Sequence, residues 1–487
     1  MPLLIVCKEE MKQDNQFGRL LMLLLLTLLI CLGMYWLPDK VLGHPIKTVD
    51  LLSDIRVKEG TISLDSLKRQ LAAAEVDSVE VVVQPDTLLT AANDSIRLVM
   101  KRDSLSRAIY ANRDTITPFE DFTPDHSGLH KFYAALAKRE KLGRPVRIAF
   151  LGDSFVEGDI LVADLRSQLQ KEFGGRGVGF VPVTSNIEQF RPTTNNKAEG
   201  WKTHSLLQEQ KEVYTLPCMY FEPVGDEASI TFKTSRQYAR LGEISSLKFI
   251  YTNSDDTEMR LEVDNDTIRR KLPPTETIMQ ITQSGKITEG SFTFTHAENL
   301  RALGIALEDN NGITVDNYAL RGNSGMIMTA INQKQSREFN KIRTYDLIIM
   351  QYGLNVMTEE MLDYSWYTQR MMRAVAHVQQ CFPNADILIM GISDRSFQEE
   401  GEFKTMPAVV AMSHAQKQLA RQSKVVFWDT YEAMGGENSM VHYVQNNWAS
   451  KDYTHLSFSG GKQIAKKLVN AILLEKEFYD EMGKAEH

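Results

Sequence analysis

Two short motifs, far apart in the chain, hold the residue types that acyl-transfer chemistry uses. Val146-Arg147-Ile148-Ala149-Phe150-Leu151-Gly152-Asp153-Ser154 reads as a buried strand running into a Gly-containing turn that carries a serine. Asp452-Tyr453-Thr454-His455-Leu456 lies near the C-terminus. A serine becomes a nucleophile when a base takes its proton, and a carboxylate can hold that base in one tautomer. The i, i+3 spacing of Asp452 and His455 places both side chains on one side of a single turn. The carboxylate can then accept from Nδ1 and leave Nε2 for the serine. Alone, Ser154 reads first as a helix N-cap, a role serine often fills, and Asp452 to His455 as a polar loop before the last helix. His414 and His442 are rival bases, but neither has an aspartate three residues before it, and His414 falls within a predicted helix.

The elements around these motifs alternate. Strands are expected at Val146 to Leu151, Ile313 to Leu320, Tyr345 to Met350, Asp386 to Ile392 and Val425 to Trp428. Helices are expected at Ile160 to Phe173, Met326 to Gln333, Tyr364 to Cys381, Pro407 to Gln422 and Ser459 to Leu474. This βα alternation argues for an α/β domain, a parallel sheet covered by helices on both faces, in two parts (129–186 and 311–487). In such a sheet the C-terminal ends of the strands carry the site, and Ser154 follows the first strand. Between the two parts, 187–310 shows no helical period. Short alternating runs recur at Ala228 to Thr234, Ser246 to Thr252, Glu258 to Val263, Thr277 to Thr282, Ser291 to Thr295 and Leu303 to Leu307, with turn signals such as Asp264-Asn265-Asp266. That pattern predicts an inserted all-β sandwich.

The N-terminal region differs. Leu20 to Leu37 is nearly all apolar and uncharged, long enough at about 1.5 Å per residue to just span a bilayer core. It ends in Met34-Tyr35-Trp36-Leu37-Pro38, which favours an uncleaved anchor (20–37) after a cytoplasmic segment (1–19) over a cleavable signal peptide. Flanking lysines and arginines do not decide orientation, but a short head and long tail suggest that the tail is exported. Residues 38–128 lack a sustained apolar period and read as a stalk. Within it, Asp followed by Ser or Thr and then an aliphatic residue recurs at Asp65, Asp77, Asp86, Asp94, Asp103 and Asp114. The pattern resembles the O-glycosylation acceptor motif of periplasmic proteins in some Gram-negative bacteria. It reads equally as a capping-rich, solvated linker.

Composition narrows the function classes. With 487 residues, 24% charged and 43% hydrophobic, the chain is ordinary for globular protein. A net charge of -8 and the lack of a basic stripe give no reason to expect nucleic acid. Of four cysteines only Cys218 and Cys381 lie downstream of the apolar segment, neither a disulfide framework nor a metal-site spacing. The Gly-rich run Gly174-Gly175-Arg176-Gly177-Val178-Gly179-Phe180 lacks the lysine and spacing of a phosphate loop and suits a turn needing positive φ. Asp394 and Asp429 also end strands, without an adjacent histidine, and read as structural.

With these residues in view, the sequence resembles the SGNH (GDSL-type) hydrolases, named for four motif residues. Gly152-Asp153-Ser154 matches the first block. Tyr318-Ala319-Leu320-Arg321-Gly322-Asn323-Ser324-Gly325 matches the second, with Gly322 favoured over Gly325 as the oxyanion glycine. Gly353-Leu354-Asn355 matches the third, and Asp452-Tyr453-Thr454-His455-Leu456 the last. The resemblance implies a three-layer α/β/α, flavodoxin-like SGNH domain. It implies Ser154 as nucleophile, His455 as base, Asp452 as its partner, and an oxyanion hole of Ser154, Gly322 and Asn355. No metal or cofactor is implied. The sandwich insertion, the Gly-rich run and Met434-Gly435-Gly436 look like peptidoglycan O-acetylesterases and related exported carbohydrate esterases, whose inserted domain is similar to carbohydrate-binding modules. The expected activity is therefore removal of acetyl groups from an O-acetylated glycan, by an enzyme in the inner membrane with its catalytic domain in the periplasm. Glycan O-acetyl transfer through the same residues and non-catalytic glycan binding are the alternatives. No protein partner can be inferred.

Overall fold

The computed structural model describes residues 40–41, 44–45 and 116–485, except 186, 188, 189, 210 and 211. The expected anchor at 20–37 and most of the stalk lie outside the described residues. Lys40–Val41 pairs antiparallel with His44–Pro45. Among the described residues no helix is long and apolar enough to cross a membrane.

From residue 116 the chain forms β1 (Glu120–Asp121), α1 (His130–Ala137), β2 (Val146–Gly152), α2 (Val162–Phe173) and β3 (Gly179–Val181). A long antiparallel region follows: β4 (Thr194–Glu199), β5 (Trp201–Ser205), β6 (Met219–Pro223), β7 (Ala228–Thr234), β8 (Ile244–Asn253), β9 (Thr257–Val263), β10 (Asp266–Leu272), β11 (Thr275–Ile287), β12 (Glu289–Thr295) and β13 (Leu300–Glu308). The chain returns through β14 (Ile313–Ala319), α3 (Gln333–Ile342), β15 (Leu347–Gln351), α4 (Ser365–Cys381), β16 (Asp386–Met390), the hairpin β17 (Ser396–Glu399) and β18 (Glu402–Thr405), and α5 (Pro407–Ser423). It ends with β19 (Val426–Trp428), α6 (Thr430–Met434), α7 (Ser439–Gln445) and α8 (Phe458–Ala485).

The central sheet has the order β14-β2-β15-β16-β19, all parallel, with β1 antiparallel at the edge. In order of appearance its parallel strands run 2-1-3-4-5, the flavodoxin-like arrangement. Strands β2, β15, β16 and β19 are buried at every residue, as strands covered on both faces must be. The crossover from β2 to β14 moves one way along the sheet and the later crossovers move the other way. Right-handed connections therefore place α2 on one face and α3, α4 and α5 on the other. Helix α8 packs against α2 and α1, and α4 against α3 and α5. β1 lies in the stretch read as stalk, yet Phe427 pairs with Glu120, and Trp428 Nε1 donates to the Thr117 carbonyl at 3.1 Å.

The antiparallel region is a sandwich of two sheets, β11-β8-β13-β6-β5 with β3 beside β13, and β10-β9-β12-β7-β4. Its core is its own, built around Phe221, Phe232, Phe249, Phe292 and Phe294. Five of its strands show little apolar alternation and lie outside the expected runs: β3, β4, β5, β6 and β10. β10, Asp-Thr-Ile-Arg-Arg-Lys-Leu, buries only Leu272.

A fully buried ionic cluster joins the sandwich to the parallel sheet. Glu308 at the end of β13 accepts from Arg147 of β2 at 2.7 Å, Lys248 of β8 at 2.6 Å and Arg343 at 3.0 Å. Arg343 also clasps Asp316 of β14 through two bonds of 2.6 Å, and Tyr345 Oη donates to Asp316 at 2.7 Å. Burial alone would push Glu308 up, but the three surrounding cations hold it well below the usual carboxylate range.

The Gly-rich run lies against this joint. A Cβ on Gly177, whose φ is +82°, would sit 2.2 Å from the Leu307 carbonyl oxygen. The glycines are there for close backbone approach. The helix expected over Met326 to Gln333 is a 3₁₀ turn at Met326–Ala330, and the α-helix starts at Gln333, where Asn332 caps it by accepting from Gln335 N at 2.9 Å. That helix buries only Ser336 and Phe339, so it has no apolar period to read. Cys218 and Cys381 are both buried and unbridged.

Candidate active site

Ser154 follows the C-terminal end of β2 and Asn355 follows that of β15. These strands are neighbours at the point where the strand order reverses, where parallel sheets open a crevice. Gly322 follows β14 on the other side of β2. The strand-to-loop turn before Ser154 is tight: a Cβ on Gly152 would lie 2.4 Å from Val156 Cγ2.

The C-terminal motif meets this end of the sheet. His455 Nε2 lies 3.2 Å from Ser154 Oγ, across 301 residues of sequence. His455 Nδ1 lies 2.7 Å from Asp452 Oδ2. The other Asp452 oxygen accepts from Ser450 Oγ at 2.5 Å, Thr454 N at 2.9 Å and His455 N at 3.0 Å. Partial burial pushes the Asp452 carboxyl up, but the hydrogen bonds from His455, Ser450 and Thr454 outweigh it and hold the group well below the usual carboxylate range. Asp452 is therefore a charged acceptor that fixes a proton on Nδ1 and leaves Nε2 as the acceptor facing the serine. Tyr453, between them, has φ +56° and stacks on Phe403 of β18, ring centroids 3.6 Å apart.

On the oxyanion side Asn355 is held by two residues without an expected role, Asp153 and Asn323. Asn355 Nδ2 donates to Asp153 Oδ2 at 2.9 Å and to the Asn323 carbonyl at 3.2 Å. Asp153 is fully buried and also accepts from Phe155 N at 2.9 Å. Burial pushes its carboxyl up to about 7, against the opposing pull of the Phe155 amide, His455 and Asn355. Asn323 Oδ1 in turn accepts from Gly325 N at 2.8 Å. Gly322 has φ +78° and open space around its α-carbon, whereas a Cβ on Gly325 would press into the Tyr352 ring at 2.6 Å. Of the two candidate glycines, Gly322 is the accessible one.

A third such residue is Asp159, non-glycine at φ +66° and wholly buried. It accepts from Thr193 Oγ1 at 2.5 Å, Asn317 Nδ2 at 2.9 Å, Arg191 Nε at 3.1 Å and Arg166 Nη1 at 3.3 Å. It thereby ties the serine loop to β14 and to the chain leading into the sandwich. Arg321, beside Gly322, reaches back to Glu157 through bonds of 2.9 and 2.6 Å to one carboxylate oxygen.

The remaining candidates fall away from the relay. His414 lies on α5 and His442 on α7. Asp394 accepts from Met440 N at 2.7 Å at the start of α7, and Asp429 caps α6 by accepting from Glu432 N at 3.1 Å. Gly435 and Gly436 end α6 with positive φ.

No family model matches the chain, and no curated protein does. Solved structures do. One described as a peptidoglycan O-acetylesterase in action is 20% identical, is matched over 74% of this chain and 99% of its own, and has a TM-score of 0.61. A family two carbohydrate esterase from Cellvibrio japonicus is 10% identical over 59% of this chain and 98% of its own, with a TM-score of 0.25. An acetyl xylan esterase is 13% identical over 33% of this chain and 81% of its own, with a TM-score of 0.26. The last two likenesses are too loose to carry an argument. The first establishes the fold, which is SGNH-hydrolase-like.

Proposed function

We propose that the chain is a membrane-anchored, exported serine esterase that removes O-acetyl groups from peptidoglycan or another cell-envelope glycan. The observation that carries this reading is the relay Ser154 Oγ to His455 Nε2 at 3.2 Å and His455 Nδ1 to Asp452 at 2.7 Å, built at the crevice end of the sheet. His455 takes the serine proton as Oγ attacks the acetyl carbonyl, and Asp452 stabilises the imidazolium that forms. The backbone N–H groups of Ser154 and Gly322 and the amide of Asn355 receive the oxyanion. The Asn355 hydrogens are engaged with Asp153 and Asn323, so the oxyanion must compete for one of them. The sugar hydroxyl leaves with the proton from His455. Water, deprotonated by the same histidine, then releases acetate from the acetyl-Ser154 ester. Likeness in fold to a peptidoglycan O-acetylesterase supports the choice of ester. The apolar run at 20–37 and the Asp-Ser/Thr pattern behind it support the anchor and export.

The test is acetate release from O-acetylated peptidoglycan by the chain from residue 38 onward, with and without an added sugar acceptor. We expect free acetate in both conditions and loss of release in Ser154→Ala. Acetate recovered mainly on the acceptor would replace hydrolysis with transfer. No Ser154-dependent turnover of the glycan or of 4-nitrophenyl acetate would refute an esterase.

A further inference from the structure

A cavity of about 400 Å³ lies between the sandwich and the α/β domain, within the range of roughly 300–1,000 Å³ common for small-molecule sites. It adjoins the relay on two sides. Glu157 and Gly158, three and four residues after Ser154, form part of its lining, and so does the segment Asn317 to Arg321, which ends next to Gly322. The opposite wall is sandwich: β4, β5 and β6 all contribute.

Its lining is mostly uncharged. Three charged side chains line it, and each is already paired: Glu157 with Arg321, and Arg191 with Asp159 behind the wall. Asp159 also accepts from Arg166, so one carboxylate is shared by two cations and this wall keeps a positive bias. The rest of the polar lining is hydroxyls and amides, among them Thr184, Thr203, Ser205, Asn196 and Gln208, set among apolar ribs from Pro217 and Met219. Uncharged donors and acceptors alternating with apolar surface suit a pyranose, whose equatorial hydroxyls and C–H faces alternate in the same way.

We propose that this cavity is a subsite for a sugar residue next to the one bearing the acetyl ester, with the inserted sandwich as one of its walls. The sandwich then belongs to the substrate site and is more than a tethered accessory. The inference rests on the esterase reading above and adds that the substrate is a chain of sugars, recognised beyond the acetylated unit.

Thr203 lies on an exposed position of β5, at the edge of its sheet, so a large side chain there can enter the cavity without disturbing a core. The experiment compares soluble O-acetylated peptidoglycan chains with 4-nitrophenyl acetate, for wild type, Thr203→Trp and Gln208→Leu. We expect kcat/KM for the chains to fall about 10- to 100-fold in Thr203→Trp, mostly through KM, and less in Gln208→Leu. Hydrolysis of 4-nitrophenyl acetate should stay within about twofold. Chain turnover unchanged in both variants overturns the subsite, as does an equal loss on both substrates in both variants. A wild type that hydrolyses the aryl ester but not the chains overturns it too. Absence of Ser154-dependent turnover of either substrate overturns the esterase reading instead.

Discussion

The Asp452–His455 turn and the ionic cluster beneath the sandwich are both built from carboxylates and their partners, yet they are finished differently. The His455 and Asp452 side chains keep 46% and 49% of their exposure, and one imidazole nitrogen is turned toward Ser154. Glu308 has no exposure and is surrounded by Arg147, Arg343 and Lys248. In the first, the carboxylate is saturated but the base is not, so a proton can arrive and leave. In the second, every partner is committed, and removing one strands a charge in low dielectric. An exposed pair with one open valence suits chemistry. A closed, buried one suits holding two sheets at a fixed angle.

Three measurements would break or sharpen this contrast. Asp452→Asn should lower kcat by about 10³- to 10⁴-fold through loss of the correct tautomer, while the urea midpoint stays near wild type because the turn is half exposed. A collapse of stability in that variant would erase the distinction. Glu308→Gln should do the reverse, costing about 3–5 kcal/mol in urea unfolding while folded protein keeps its kcat. Wild-type stability with impaired kcat would show that the cluster serves the reaction.

Asp153 is the intermediate case, buried like the cluster and adjacent to the serine. Its carboxyl is pushed up to about 7 when folded against 3.8 in an ordinary aspartate. The folded state thus holds a proton there that the unfolded state releases. Its contribution to stability is full below pH 3.8, declines as pH rises, and is lost above about 7. Asp386 is pushed up to about 7 by burial as well and adds to the same slope. The informative quantity is therefore wild type minus Asp153→Asn. The difference in unfolding free energy should move in favour of the variant between pH 4 and 7, by at most about 4 kcal/mol. A flat difference would mean that Asp153 is ionised in the folded protein, like Asp452.

The parallel strands were legible because each is a short run of Val, Ile, Leu, Phe or Met ending at a turn. Their order came from the likeness of the four motif blocks and from no local feature. Polar strands escaped notice because alternation disappears when a strand contributes to a sheet edge. β10 and β4 are such edges of their sheet. The hairpin β17–β18 escaped for the same reason, although it sets Phe403 against Tyr453. Ser154, Asp452 and His455 stand out only together, because a serine turn after a buried strand and an Asp/His pair at i, i+3 supply a nucleophile, a base and its partner. Asp153 and Asp159 do not, since burial and hydrogen bonding decide what an aspartate does, and neither is written locally. Asn355 could be assigned a part, but its engagement by Asp153 and Asn323 depends on three separate loops.

The pairing of β3 with β13 has one more consequence. Gly179 faces Leu307, Phe180 faces Ala306 and Val181 faces Ile305, so the strand that enters the insertion lies beside the strand that leaves it. Paired backbones sit only about 5 Å apart. To the parent sheet, then, a domain-sized excursion behaves as a short closed stem. The entropy of closing a loop grows slowly with its length, about 0.6 kcal/mol per doubling, and here the ends are already held together. The α/β domain can accordingly bring β2 and β14 into register without regard to how much chain hangs beyond the stem. The length of the insertion therefore matters little to whether the surrounding sheet can form, whereas its contacts through Glu308 and Lys248 do matter.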